Sequence, residues 1–319
     1  MKLLTFGNEG SARLGALAAD GGIVDLTRRR RDSAFRSMQT LIEAGAEALG
    51  AADRLIRGAA ETLDPEEVRW LAPLPCPMQI RDFVGFEEHM RRAGWQLAKL
   101  KERSRGAAAP TEAPPIPPVW YDQPLYYKSN RFAVAGTGHP VAWPRDSNLI
   151  DYELELACVI GRGGIDISAC DAADHIFGLC IFNDLTARDL QFKEMQGPFG
   201  PAKGKDFDGA NVLGPVIVTT DEIGTKPALA MRAFVNGDLW SEGNSGAMYW
   251  SFERMIEHAS RSETIYPGEI LGSGTVGGGC GLELGRFLQH GDAVRLEIEG
   301  IGSVVTQIHA PHVPRRITL

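Results

Sequence analysis

The chain of 319 residues contains no apolar run approaching the roughly 20 residues that a bilayer span requires. Its first residues also lack the basic, apolar and small-residue series of a secretory signal, so a cytoplasmic protein with no membrane partner is expected. Positive charge is in deficit. Thirty-three Lys and Arg stand against 41 Asp and Glu, a formal net charge of −8. That balance argues against broad binding to nucleic acid or to an anionic membrane. An anionic substrate would have to be held by local cations. Cysteine is scarce, and Cys76, Cys158, Cys170, Cys180 and Cys280 are odd in number and widely spaced, with no paired metal-ligand spacing. Free thiols in a reducing compartment are expected, several of them buried in apolar runs. No internal repeat is visible.

What is present divides near residue 72. Residues 1–72 read as a small α/β unit. Leu14 to Leu26 suggests a hairpin turning at Asp20-Gly21-Gly22, and Ser37 to Ala60 has helical spacing. Leu71-Ala72-Pro73-Leu74-Pro75-Cys76-Pro77 cannot continue a helix and makes a boundary. Residues 73–319 form the larger part. Phe86 to Arg103 reads as a helix, followed by a proline-rich stretch from Gly106 to Pro118 that should be an exposed loop or active-site flap. Beyond Val119 the chain consists of short β-branched runs, among them Val216–Thr220 and Ala293–Glu299, with Asn236-Gly237 as a strong hairpin signal. Only Asp171–Phe177 and Tyr249–Ser260 suggest further helix. The fold class expected is α+β, mainly β.

The most informative segment is Asp151-Tyr152-Glu153-Leu154-Glu155-Leu156, leading into Ala157–Ile160. Alternate side chains of a strand share a face, so Glu153 and Glu155 would point the same way, about 7 Å apart at the backbone. Half-buried carboxylates so placed repel each other unless something positive sits between them, and a divalent cation that prefers oxygen does this most simply. A polar face turned to solvent gives the same pattern. Three further segments bear on the choice. Gly178–Gln191 ends a buried-looking strand in Asn183-Asp184, which reads as a site or as a turn cap. Gly204-Lys205-Asp206-Phe207-Asp208-Gly209 is a polar loop that alone says little. Gly272–Leu284 carries enough glycine for backbone amides to come close to a bound group.

Taken in order, Asp151–Leu156, Asn183–Asp189, Gly204–Asp208 and Gly272–Thr275 resemble the fumarylacetoacetate hydrolase family over roughly Leu71 to the C-terminus. The resemblance implies a C-terminal mixed β-roll of the fumarylacetoacetase type around one divalent cation, a small N-terminal domain, and a homodimer. Position by position, it implies metal ligands Glu153, Glu155 and Asp184. Ile80–His89 reproduces the spacing of the fumarylacetoacetase branch, which adds Asp82 as fourth ligand and His89 as general base. Lys205 matches the active-site lysine and Glu283 the carboxylate that orients the base, while Tyr127, Arg188, Gln191 and Thr275 match substrate-binding positions. One departure stands out. Many bacterial members carry Asn-Tyr-x-x-His-x-x-Glu at the base, whereas this chain has Gly85-Phe86 for Asn-Tyr and Arg92 for the Glu.

An all-carboxylate site suits Mg²⁺, Mn²⁺ or Ca²⁺ rather than Zn²⁺. With His89 as proton carrier, Glu283 fixing its tautomer and Lys205 stabilising an oxyanion, the resemblance implies a hydrolase. It would cleave a C–C bond in a β-diketo acid, acylpyruvate or fumarylacetoacetate-like, by His-activated water and a metal-stabilised enolate. An isolated histidine on a helix face would carry no such role. The same site supports decarboxylation or isomerisation of oxaloacetate-like or aromatic-catabolism acids.

Overall fold

A computed structural model describes residues 1–310 except Glu9, Arg31 and Pro198. Among the described residues the fold is organised by an 11-stranded mixed sheet and a five-stranded sheet. In the larger sheet Leu154–Ile160 lies between the antiparallel strands Ile176–Asp184 and Ile270–Gly272. Ile270–Gly272 pairs in parallel with Ile80–Phe83. All seven residues of Leu154–Ile160 are buried, which is why the run, Glu155 apart, is apolar on both faces rather than alternating.

The pleat of this sheet positions the site. One face carries Leu154, Leu156, Cys158 and Ile160 into the main apolar core. The other carries Ala157 and Val159, with Ile80, Ile270, Cys180 and Phe182 from the neighbouring strands, into a second core. Continuing each of those rows by two residues reaches Glu155, Asp82, Gly272 and Asp184, because side chains two apart share a face. The carboxylates thus extend one apolar face at its edge.

The N-terminal hairpin forms as expected, with Ser11–Leu17 paired to Ile23–Asp25. The predicted helix over 37–60 spans Met38–Arg57, with Ser37 and Thr40 making a reciprocal cap and a kink at Gly45 (φ 68°). Leu71–Pro77 contains no long helix or strand, yet pairing crosses it: Lys2–Asn8 hydrogen-bonds Asn211–Thr219. Leu3, Leu14 and Leu41 also share a core with Leu213, Ile217 and Ile270. Residues 1–72 are therefore packed into the sheet that carries the site, whereas their sequence suggested a separate unit.

Asn236-Gly237 makes its hairpin, both residues at positive φ (53° and 92°) between Ala230–Val235 and Asp238–Asn244. The helix predicted over 86–103 is Glu87–Ser104. Two shorter expectations are corrected. Asp171–Phe177 yields only a 3₁₀ turn at Ala172–His175, because Ile176 and Phe177 are taken up by the central sheet. Tyr249–Ser260 becomes helical only from Phe252, since the Tyr249 and Trp250 amides donate to the Gly85 carbonyl. The proline-rich segment is irregular and mostly exposed up to the short helix Pro118–Asp122. There Trp120, fully buried, donates its indole N–H to the Val84 carbonyl (2.7 Å) and anchors the segment beside the strand that carries Asp82.

Candidate metal and acid–base site

Asp82, Glu153, Glu155 and Asp184 converge: one carboxylate oxygen from each lies within 4.8 Å of the others, and all four residues are buried. Each comes from a different stretch of backbone except the Glu153/Glu155 pair. The apparent single run 151–160 is in fact two pieces. Ile150–Asp151 pairs with Thr186–Ala187, and the central strand resumes at Leu154. Glu153 sits in the joint, bridged across the backbone to Cys280, with its amide donating to the Asn183 side chain (3.1 Å).

Gly272 makes room for this convergence. A Cβ built on it would overlap Asp82 Oδ1 and stand 3.1 Å from Glu155 Oε2. The glycine loop turns its amides to the chain's own carboxylates, where its composition had suggested a bound group. Gly274 N–H donates to Glu155 Oε2 (3.1 Å) and Gly278 N–H to Glu283 Oε2 (2.7 Å).

The electrostatics show what the cluster needs. Burial, then the Asp184 carboxylate, pushes Asp82 well above the usual carboxylate range. Burial and the Asp82 carboxylate push Glu155 up in the same way. Asp184 is also raised by burial, with Lys205 opposing. Glu153 goes the other way: burial disfavours its charge, but Arg188 and Lys205 outweigh burial and hold it below the usual range. Lys205 donates to Glu153 (2.6 Å) and to Asp184, which keep its ammonium charged despite burial. Arg188 is ion-paired with Asp151 (2.8 Å) and Glu153 (2.6 Å).

Counting Asp151, five buried carboxylates face these two cations. Asp82 Oδ1 and Asp184 Oδ1 are buried without a hydrogen-bond partner among the described residues. Orphaned carboxylate oxygens and a deficit of positive charge fit a hard divalent cation. The donor set contains no nitrogen or sulfur.

Beside the carboxylates, His89 Nδ1 lies 2.7 Å from Glu283 Oε1. With Nδ1 committed to that carboxylate, Nε2 is the ring atom left to exchange a proton. Glu153 is bridged to Cys280, which in turn contacts Glu283, so the His89–Glu283 pair stands next to the carboxylates. The four expected substrate contacts are also brought to the cluster, each with a partner of its own. Tyr127 donates its hydroxyl to Asp184 Oδ2 (2.7 Å), and Thr275 donates to Glu155 Oε1 (3.3 Å). Gln191 accepts from Arg188 Nη1 (3.1 Å), whose guanidinium is spent on Asp151 and Glu153.

Sequence reasoning missed two contributors. Asp151 accepts from Arg188 and from the amides of Gly281 and Leu282 (2.7 and 2.9 Å), so it joins the four-carboxylate cluster to the short helix Gly281–Leu284 that presents Glu283. Its even spacing with Glu153 and Glu155 was the available signal. Cys280, buried, donates its thiol to Glu283 Oε1 (3.4 Å) and had no signal at all.

The family pattern described as "Fumarylacetoacetate (FAA) hydrolase C-terminal" matches residues 79–309. The chain is 30% identical over 309 residues to "Oxaloacetate tautomerase fahd2, mitochondrial" of Xenopus laevis, covering 95% of this chain and 89% of that protein. Among solved structures it is similar to a fumarylacetoacetate hydrolase from Exiguobacterium antarcticum, at 28% identity and TM-score 0.70, covering 97% and 99% of the two chains. It also shares the fold of a maleylpyruvate hydrolase from Sphingobium sp. SYK-6 solved with manganese(II) and pyruvate, at 24% identity and TM-score 0.74, covering 98% and 100%. The four motifs, the sheet that brings them together and these matches place the chain in the fumarylacetoacetate hydrolase family.

Proposed function

We propose that this enzyme interconverts the keto and enol forms of a small 2-oxo acid, with Asp82, Glu153, Glu155 and Asp184 as ligands of a divalent cation such as Mg²⁺, Mn²⁺ or Ca²⁺. The observation that carries the reading is the His89–Glu283 pair standing beside a buried four-carboxylate cluster. Similarity to an oxaloacetate tautomerase along nearly the whole chain supports this reaction over others open to the same site. When bound, the cation draws electron density from the 2-oxo group and so acidifies the neighbouring C–H.

The chain's own groups then move the proton. His89 Nε2 takes it from C3, the C–H pair becomes the C2=C3 bond, and the carbonyl π pair becomes a lone pair on oxygen. The His89 imidazolium then gives that same proton to the oxygen, which yields the enol and restores the neutral base, and the reverse sequence gives the keto acid. Glu283 holds the imidazole in the reactive tautomer and stabilises it once it carries the extra proton. Lys205 supplies positive charge near the developing oxyanion. Tyr127, Gln191 and Thr275 line the approach and orient the acid, and Arg188 acts by fixing Glu153. We also propose a cytoplasmic homodimer, which light scattering of the purified protein tests.

Hydrolytic C–C cleavage of an acylpyruvate is the second reading, favoured by the 28% identity to the solved fumarylacetoacetate hydrolase. There His89 would take its proton from water. Loss of enol absorbance on adding enzyme and Mg²⁺ to freshly dissolved enol-oxaloacetate, abolished by chelator, is expected. Release of pyruvate from an acylpyruvate, with no change in the rate of oxaloacetate ketonisation, would overturn the first reading in favour of the second.

A further inference from the structure

Arg92 has no place in the reaction described so far. It stands three residues after His89 on the helix Glu87–Ser104, hence on the same face one turn along. Its Nε donates to Glu88 Oε1 (2.7 Å), which fixes the side chain, while neither Nη atom has a hydrogen-bond partner among the described residues. Nη1 reaches the glycine loop, where a Cβ built on Gly278 would stand 3.1 Å from it. Gly278 is the residue whose amide holds Glu283, the partner of His89. A fork of free N–H groups therefore lies next to the acid–base pair. It is half-exposed and so reachable by a small solute.

Glu88 is the carboxylate bonded to Arg92, and further cations lie along the same side of the helix. Along the same helix, Gln96, Lys99 and Arg103 follow at 7, 10 and 14 residues from His89, spacings that keep them on its side of the helix. Lys99 and Arg103 line a cavity of about 480 Å³ with Leu282 and Phe287, and Gln96 donates to the Glu283 carbonyl (3.1 Å). In a chain of net charge −8, Lys99 and Arg103 thus add two cations to this side of the helix.

We infer that Arg92 determines substrate class: its free Nη groups take the carboxylate remote from the 2-oxo group, so the enzyme prefers dicarboxylic over monocarboxylic 2-oxo acids. The inference rests on the tautomerase reading of the site. Arginine suits the task because its planar fork matches a carboxylate with two parallel hydrogen bonds.

The test compares enol oxaloacetate with enol phenylpyruvate, a monocarboxylic 2-oxo acid, as substrates of the wild type, Arg92→Gln and Arg92→Lys, all loaded with Mg²⁺. In Arg92→Gln the ratio of kcat/KM for oxaloacetate to that for phenylpyruvate is expected to fall by at least about tenfold, chiefly through KM, as the loss of one charge-assisted contact implies. Arg92→Lys, which keeps charge without the fork, is expected in between. A ratio that stays within about twofold of wild type in Arg92→Gln, whether the two rates hold or fall together, overturns the assignment. Failure of the wild type to turn over either enol would instead overturn the tautomerase reading.

Discussion

Removing the divalent cation should destabilise the folded protein in a way that grows with pH. In the metal-free chain Asp82, Asp151, Glu155 and Asp184 are all held above the usual carboxylate range, first by burial and then by the Asp184 carboxylate for Asp82 and the Asp82 carboxylate for Glu155. A carboxyl whose folded pKa is raised contributes stability that is present below its unfolded value and lost as pH rises through the folded one. Glu153, held low by its cations, has the opposite sign, but its contribution is complete above pH about 5, and Lys205 remains charged throughout. Asp82 and Glu155, pushed well above the usual range, therefore both act in one direction as pH rises past it, and the chelated protein should lose thermal stability as pH increases.

A bound cation removes that penalty. At a hundredfold excess over Kd it stabilises the folded state by about 2.7 kcal/mol. With an unfolding entropy of about 0.67 kcal/mol per kelvin for 319 residues, this raises Tm by about 4 °C. Each proton displaced by the metal strengthens binding by up to about tenfold per pH unit, or about 1.4 kcal/mol and a further 2 °C. Scanning calorimetry in chelator and in millimolar Mg²⁺ or Mn²⁺, at pH 5, 6.5 and 8, measures both effects. A metal-induced rise that is flat with pH, or one that survives in Asp184→Asn, would refute the reasoning that these carboxylates hold the ion.

Three further outcomes are expected. Gly272→Ala, whose Cβ would collide with Asp82, should weaken Mg²⁺ binding by more than about tenfold in titration calorimetry and lower stability by about 1–3 kcal/mol, because the backbone there is locked between two strands. Glu283→Gln should lower kcat by about 10²–10⁴ while leaving the metal-induced rise in Tm in place, since Glu283 bonds His89 and lies outside the four-carboxylate group. In native protein an aromatic disulfide reagent should titrate the two exposed thiols, Cys76 and Cys170, and reach Cys158, Cys180 and Cys280 only after unfolding, burial having pushed Cys180 up to about 12.

How much of this was legible in the chain depended on the range of the interactions involved. The Asn236-Gly237 hairpin and the helix from Glu87 follow from local backbone preference, and sequence carries local preference well. The pairing of Lys2–Asn8 with Asn211–Thr219 joins residues two hundred positions apart, and no local signal encodes which strand a sheet edge will meet. That is why a boundary at Leu71–Pro77 could be drawn from the prolines while the strand pairing that crosses it could not be foreseen.

The site divides along the same line. Three of its carboxylates continue apolar rows in their own strands, so an acid two residues beyond a buried position was a readable anomaly at Glu155 and Asp184. Asp82 became readable only through the spacing to His89 that the family resemblance supplied. Arg188 shows what remains hidden. The family resemblance implied a hand for substrate, but its guanidinium is buried between Asp151 and Glu153, where taking away its charge would leave Asp151 without a cation and Glu153 with Lys205 alone. Arg92, half-exposed with its Nη groups free, is the better candidate for that hand, and only the fold tells the two arginines apart.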